Sequence, residues 1–426
     1  MTGTAIIIGG GWSGVAAALA SKRCGAGRVV VLERTDMLLG CGLSGGIMRN
    51  NGRHTAAEEL AAMGAGALFE ITDSVGTHRG IDFPGHKHAW LYSTTKIEPV
   101  VRRFLDDRQI EIRFRSRVVD LETGGGRVFT AVLSDDSRIV GDAFVETTGS
   151  AGSTGNCTRF GNGCAMCSLR CPTYGPRVSL TDRIGLEDYV GMRKDGGIGT
   201  FSGSFELRKN SLSPELQDEL NVKGAVVIPL PAEMKHAEVL DKKSCKQYAL
   251  PEYADNIILL DTGDVAKIMT PYFPVDQLRL LPGLENVLIG TGAGHANSVR
   301  FLSRAPRDNA LTVEGYDNFF CAGEKSGFFV GHTEAIVTGT LAGYNAARHL
   351  AGKSPFVLPT SLVCGDIIFA EQEGLQTEEG LIKRYTFSGS DYFKRMREKS
   401  FYSTDSREIA ERVRRAGCND LFAGDA

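Results

Sequence analysis

The sequence has almost no excess charge of either sign: 48 Lys and Arg stand against 51 Asp and Glu, leaving a net −3. No global positive field therefore draws in nucleic acid, and any RNA or DNA contact needs a local patch. Long apolar runs are also missing. No stretch reaches the ~18 residues of a membrane span. The apolar start Ala5–Ile8 is too short for an export signal and runs straight into glycines. The chain is expected in the cytoplasm, with no membrane partner. It shows no internal repeat, no second glycine-rich βαβ unit that would form a dedicated NAD(P)H domain, and no collagen-like or low-complexity composition.

Glycine, by contrast, is abundant, at 52 of 426 residues. Such an excess suits folds with tight turns and close backbone approaches. The opening shows where it is used. Residues 4–9 read as a short buried strand, Gly9-Gly10-Gly11-Trp12-Ser13-Gly14 follows, an Ala-rich helix comes next, and RVVVLE (28–33) is a second strand. The pattern Gly9-x-Gly11-x-x-Gly14 follows a strand and opens a helix, with Glu33 19 residues beyond. This is the dinucleotide fingerprint in its proper context. Gly9 makes the turn, Gly11 lets the backbone approach a pyrophosphate, and Gly14 permits close helix–strand packing. The helix N-terminus attracts phosphate, and Glu33 is expected to accept from a ribose diol.

Two downstream segments favour FAD over NAD. Phe319-Phe320-Cys321-Ala322-Gly323-Glu324 ends a strand just before a helix over 333–352, and Val145–Gly149 resembles the strand-end turn of two-part flavoproteins. The fold predicted is α/β: a Rossmann-like FAD domain of the two-dinucleotide flavoprotein type, with an inserted α+β substrate domain and a helical tail. The expected divisions are 1–150 (FAD domain, first part), 151–175 (cysteine-rich loop), 176–270 (insertion), 271–352 (FAD domain, second part) and 353–426 (tail). The cofactor contacts expected from the first turn are Gly9, Gly11, Trp12, Ser13 and Gly14. Glu33, Arg34, Gly42, Ser44, Val118 and Gly149 follow from the next strands and loops. Gly323, Glu324, Gly331, His332 and Thr333 come from the returning segment.

Four of the ten cysteines cluster, as Cys157, Cys164, Cys167 and Cys171. The spacing C-x6-C-x2-C-x3-C-P shares its last part with bacterial ferredoxin ligation. Four soft thiolates select a [4Fe–4S] cluster or zinc. The cluster is the expectation here; zinc and redox-exchanging thiols are the alternatives, and Cys157 is the ligand left open.

Further segments carry a resemblance. Gly40–Ile47 (GCGLSGGI), Leu280–Val287 (LLPGLENV), Phe319–Arg348 and, more weakly, Pro176–Leu180 (PRVSL) are similar to motifs of one flavoprotein family. That family contains the folate-dependent tRNA uracil-5-methyltransferase and the glucose-inhibited division protein A. The resemblance implies a two-domain FAD protein with an inserted substrate domain, and it implies that Cys41 lies near the flavin. His295 and Asn297 align with the polar loop after PGLEN and become candidates for flavin or substrate contact.

The function expected is an FAD-dependent oxidoreductase carrying a [4Fe–4S] cluster. It would pass electrons to a small-molecule substrate or a ferredoxin-like partner, with Cys41, His295 and Asn297 as catalytic candidates. The alternatives are a folate- and FAD-dependent RNA uracil-C5 methyltransferase and an electron-transfer subunit without its own substrate. A homo-oligomer is expected. His86 and His88 have metal-like spacing but no further ligands, and read as loop residues. The stretch 381–415 carries ten basic and five acidic residues, fit for RNA phosphate, an acidic partner or a solvated face.

Overall fold

The computed structural model describes residues 3–149, 178–201, 205–241, 243, 245–270, 274–290, 299–300 and 302–424. Its centre is a five-stranded parallel sheet in the order Phe319–Cys321, Ala143–Glu146, Thr4–Ile8, Arg28–Leu32, Glu111–Arg113. The first four strands are short runs of Ile, Val, Leu and Phe with nearly every residue buried, as a sheet covered on both faces requires, and the edge strand Glu111–Arg113 is half-buried.

One face is covered by two helices, Trp12–Arg23 and His332–Leu350. Their small residues bring the backbones together. A Cβ on Gly339 or Gly343 would overlap the carbonyl oxygen of Ser13 or Ala17. The other face carries a three-stranded antiparallel sheet, Val118–Gly124, Arg127–Leu133 and Arg138–Val140. Val118, Leu121, Val128 and Ile139 pack there against Ile6, Ile8, Val30 and Leu32.

The insertion is a four-stranded antiparallel sheet ordered Phe205–Arg208, Val265–Ile268, Asn256–Asp261, Ala225–Pro229. The helix Pro214–Lys223 lies beside it. Ser213 accepts the Leu216 N–H at its start, and Gly224 ends it in the left-handed region. Leu278, Leu281, Leu284 and Val287 add to this core. A third antiparallel sheet, Ile47–Arg49, His86–Tyr92, Gly76–Phe83, joins the insertion through Phe83, Leu91, Tyr248 and Tyr253.

The tail forms the helices Val363–Gly374, Ser390–Glu398 and Ser406–Arg415. It docks on the helix Arg53–Ala62, where the buried Glu59 carboxylate accepts from the first-turn amides of Val363 and Cys364, both at 3.0 Å. Burial pushes the Glu59 carboxyl up to about 6. Most of the basic residues in 381–415 are already paired: Arg395 and Lys399 with Asp366, Arg412 with Glu59 and Glu408, Arg414 and Arg415 with Glu411. Among the described residues no helix is long and apolar enough to cross a membrane.

Candidate active site

The first wall of the cavity is the glycine turn. Gly9 has φ +108°, and a Cβ there would come within 2.7 Å of the Thr147 carbonyl oxygen. A Cβ on Gly14 would overlap the Gly9 carbonyl oxygen, whereas one on Gly11 would meet nothing within 4 Å. Gly11 therefore faces open space, and Gly14 is a packing residue that does not line the cavity. The helix that starts at Trp12 has no side-chain cap, so its N-terminus presents backbone amides to the cavity mouth. The buried indole N–H of Trp12 has no acceptor among the described residues.

Glu33 is more engaged than expected. Its Oε2 accepts from the Gly10 N–H at 2.8 Å, and its Oε1 accepts from the amide and hydroxyl of Thr35 at 2.8 and 2.9 Å. It thus clamps the second strand to the glycine turn. A carboxylate has about four acceptor sites, so room for roughly one more donor remains on the cavity side.

Opposite lie Thr147–Gly149 and Gly323–Glu324. The Thr147 hydroxyl donates to Gly9 O at 2.6 Å. Gly323 has φ +66°, and a Cβ there would reach 2.6 Å from the Ser13 hydroxyl. His332 opens the long helix, and its ring fits only because Gly45 has no side chain. Tyr92 places its hydroxyl against Gly42 O at 2.7 Å and 3.3 Å from His332 Nδ1. Burial pushes its phenol far up, so the proton stays. Arg34, Gly42, Ser44, Val118 and Gly331 line the cavity as well. Thr333 does not. Its hydroxyl donates to Met48 O at 2.7 Å, fastening the helix to a strand.

The far wall, from the insertion, has no counterpart in the sequence reading. Lys243, Cys245, Gln247, Tyr248 and Lys267–Met269 line the same cavity as Cys41. Lys267 is the register partner of Glu206 and donates to Ser44 O. Glu206 accepts from the Thr94 hydroxyl at 3.3 Å, and burial pushes its carboxyl up to about 7. The Lys243 ammonium donates to Met269 O at 2.6 Å and is pushed down to about 8 by burial.

His86 sits on the strand His86–Tyr92, not in a loop. The Gln247 carbonyl can only accept, so His86 Nε2 donates to it at 3.0 Å, and Nδ1 accepts from the Asn50 amide at 2.8 Å. The ring is a buried neutral imidazole, pushed down to about 3 by burial. With the folded value depressed, its stabilisation is complete above the free value near 6.5 and is lost as pH falls toward 3. The wild type is expected to lose about 2 kcal/mol between pH 6.5 and 5 from this residue. His86→Gln, which keeps both bonding roles without titrating, should flatten that part of the urea-midpoint profile.

His295, Asn297, Cys157, Cys164, Cys167 and Cys171 lie outside the described residues. Among those described, no group of three or more His, Cys, Asp or Glu is arranged to hold a metal.

Residues 4–259 and 263–354 match the family model of glucose inhibited division protein A. The chain belongs to that family. Within it, 91 residues are 40% identical to the methylenetetrahydrofolate–tRNA-(uracil-5-)-methyltransferase TrmFO of Caldicellulosiruptor bescii, covering 21% of this chain and 20% of that protein. A stretch of 121 residues is 32% identical to the tRNA uridine 5-carboxymethylaminomethyl modification enzyme MnmG of Mycoplasmopsis synoviae, covering 28% of this chain and 19% of that one. The aligned segments thus span about a fifth of these relatives. The solved structure of Aquifex aeolicus GidA (form II crystal) superposes with a TM-score of 0.64 at 16% identity, over 97% of this chain and 76% of that one. It has the same glucose-inhibited-division-protein fold. The family match gives no support to an iron–sulfur cluster.

Proposed function

We propose that the cavity holds FAD and that the protein is a flavoenzyme modifying uracil at C5 in RNA, with a folate as one-carbon donor. The observation that carries this reading is the continuity of the cavity. It runs from the uncapped helix N-terminus at Trp12 to the thiols of Cys41 and Cys245. The fit to FAD rests on three features: open space beside Gly11, and the unpartnered buried Trp12 Nε1 and Gln247 Oε1 on the cavity wall. When bound, FAD would supply two-electron reduction or oxidation at the reacting carbon.

The chain's own residues do the rest. The Trp12 helix amides and Gly11 hold phosphate, and Glu33 takes a ribose hydroxyl. Cys41 and Cys245 offer sulfur nucleophiles at the substrate end, the residue type needed to add to an electron-poor pyrimidine carbon. Lys267 and Lys243 lie on the same wall as these two sulfurs. Names of relatives support the choice of uracil and folate.

The test uses FAD-loaded protein, a reductant, labelled methylene-tetrahydrofolate and an unmodified tRNA or rRNA transcript. Label should appear in 5-methyluridine, and Cys41→Ser and Cys245→Ser should each reduce it to background while FAD stays bound. Bound, reducible flavin without transfer would refute the uracil reading.

A second reading is an FAD/[4Fe–4S] oxidoreductase serving a small-molecule or ferredoxin-like partner. It is favoured by the run Cys157, Cys164, Cys167, Cys171. Iron and sulfide analysis of anaerobically purified protein decides it: about four of each per chain, lost in Cys167→Ala with FAD retained, is the expected result under this reading.

A further inference from the structure

Several buried cations in this protein are matched by carboxylates. Arg53 pairs with Glu334 at 3.0 Å, Arg307 pairs with Glu371 at 2.6 Å, Lys325 pairs with Asp188, and Lys267 faces Glu206 across the inserted sheet. This is what desolvation demands, since a lone buried charge costs several kcal/mol. Lys243 departs from the pattern. It is 7% exposed, and its Nζ donates to the Met269 carbonyl at 2.6 Å. It lies 5.9 and 5.7 Å from the ring centroids of Tyr248 and Tyr253. No carboxylate of the described residues lies within ion-pairing distance of it. An ammonium has three donors, so among the described residues two remain beyond the bond to Met269. It lines the cavity beside Cys245 and Lys267.

We propose that Lys243 is an anion-recognition residue, and that the small-molecule substrate entering from the inserted sheet presents a carboxylate to it. The inference rests on the cavity being the reaction site. The chemical class follows from three points. No carboxylate among the described residues neutralises this ammonium, and a bound anion would. A carboxylate is fully ionised at neutral pH, which a pyrimidine imide is not. Its two oxygens can accept from Lys243 and Lys267 together, and Lys267 already lies on the same wall. The Tyr248 ring, also on that wall, suits a flat ligand.

The probes are benzoate and its neutral isostere benzamide, added to the FAD-loaded full-length protein. Binding is read from the flavin absorption and, independently, from the melting temperature. Benzoate should bind saturably and at least tenfold tighter than benzamide. Lys243→Met should keep FAD and the wild-type melting temperature, because it removes a buried charge while keeping most of the unbranched side chain, yet lose the benzoate preference. Equal binding of the two probes, no binding of either, or a preference that survives in Lys243→Met but disappears in Lys267→Met would overturn the assignment. If the protein holds no FAD, the flavin reading fails on its own, while the melting-temperature arm still reports on Lys243.

Discussion

Gly14→Ala should destabilise the fold, while Gly11→Leu should leave the fold intact and weaken cofactor binding. The two glycines stand three residues apart in one motif and do different work. At Gly14 an added methyl would overlap the Gly9 carbonyl oxygen and lie 2.8 Å from the Thr147 hydroxyl. Both neighbours belong to backbone or to a hydroxyl bonded to backbone, so neither yields without shifting the turn. Overpacking of this kind costs about 3 kcal/mol, a drop on the order of 5–10 °C in melting temperature. At Gly11 the backbone has φ −68° and an added Cβ meets nothing. A leucine there is free of strain and fills the space a pyrophosphate would need. Its melting temperature without cofactor should equal that of the wild type, and FAD affinity should fall by roughly 100-fold, about 2.7 kcal/mol. Flavin absorbance after gel filtration, alongside calorimetry of the cofactor-free proteins, separates the two effects. A Gly11→Leu protein that keeps FAD would place the nucleotide elsewhere.

Glu334→Ala should cost about 3–5 kcal/mol in urea denaturation, the range for breaking a fully buried ion pair. Arg53 and Glu334 have side-chain exposures of 3% and 0%, so neither can fall back on water. Glu334 also accepts from the Thr386 hydroxyl at 2.7 Å and from the Phe387 N–H at 2.8 Å. Arg53 in turn donates to Asn50 Oδ1 and Val330 O. The variant leaves a guanidinium uncompensated and two tail donors unpaired. Thr386→Val, which removes one hydroxyl of the network, should cost only about 1 kcal/mol. Similar losses for both variants would show that Arg53 finds another partner.

The glycine-turn end of the cavity was legible in the sequence because its parts have fixed spacing. A tight turn, a close approach and an acid at the next strand end place Gly9, Gly11 and Glu33 without any tertiary knowledge. The strand Phe319–Cys321 and the helix after it read out for the same reason. Two expectations did not carry through. Gly14 and Thr333 belong to motifs that touch the cavity, but their own atoms pack helix against strand. The wall from the insertion was not legible. Lys243, Cys245 and Lys267 meet Cys41 only through sheet pairing of the insertion, and no local period marks that. The strand Gly76–Phe83 escaped notice because it is mostly exposed and its pairing is broken by register shifts. His86 looked like a loop residue because its partners, Asn50 and Gln247, lie 36 and 161 positions away.

The tie between Arg53, Glu334 and the Thr386–Phe387 backbone has a consequence for biosynthesis. At the ~5–20 residues per second of translation, the nascent polypeptide emerges with Arg53 early and waits for Glu334, then for the last stretch that closes over both. The wall beneath the cavity is therefore closed only once a residue 333 positions beyond Arg53 has been made.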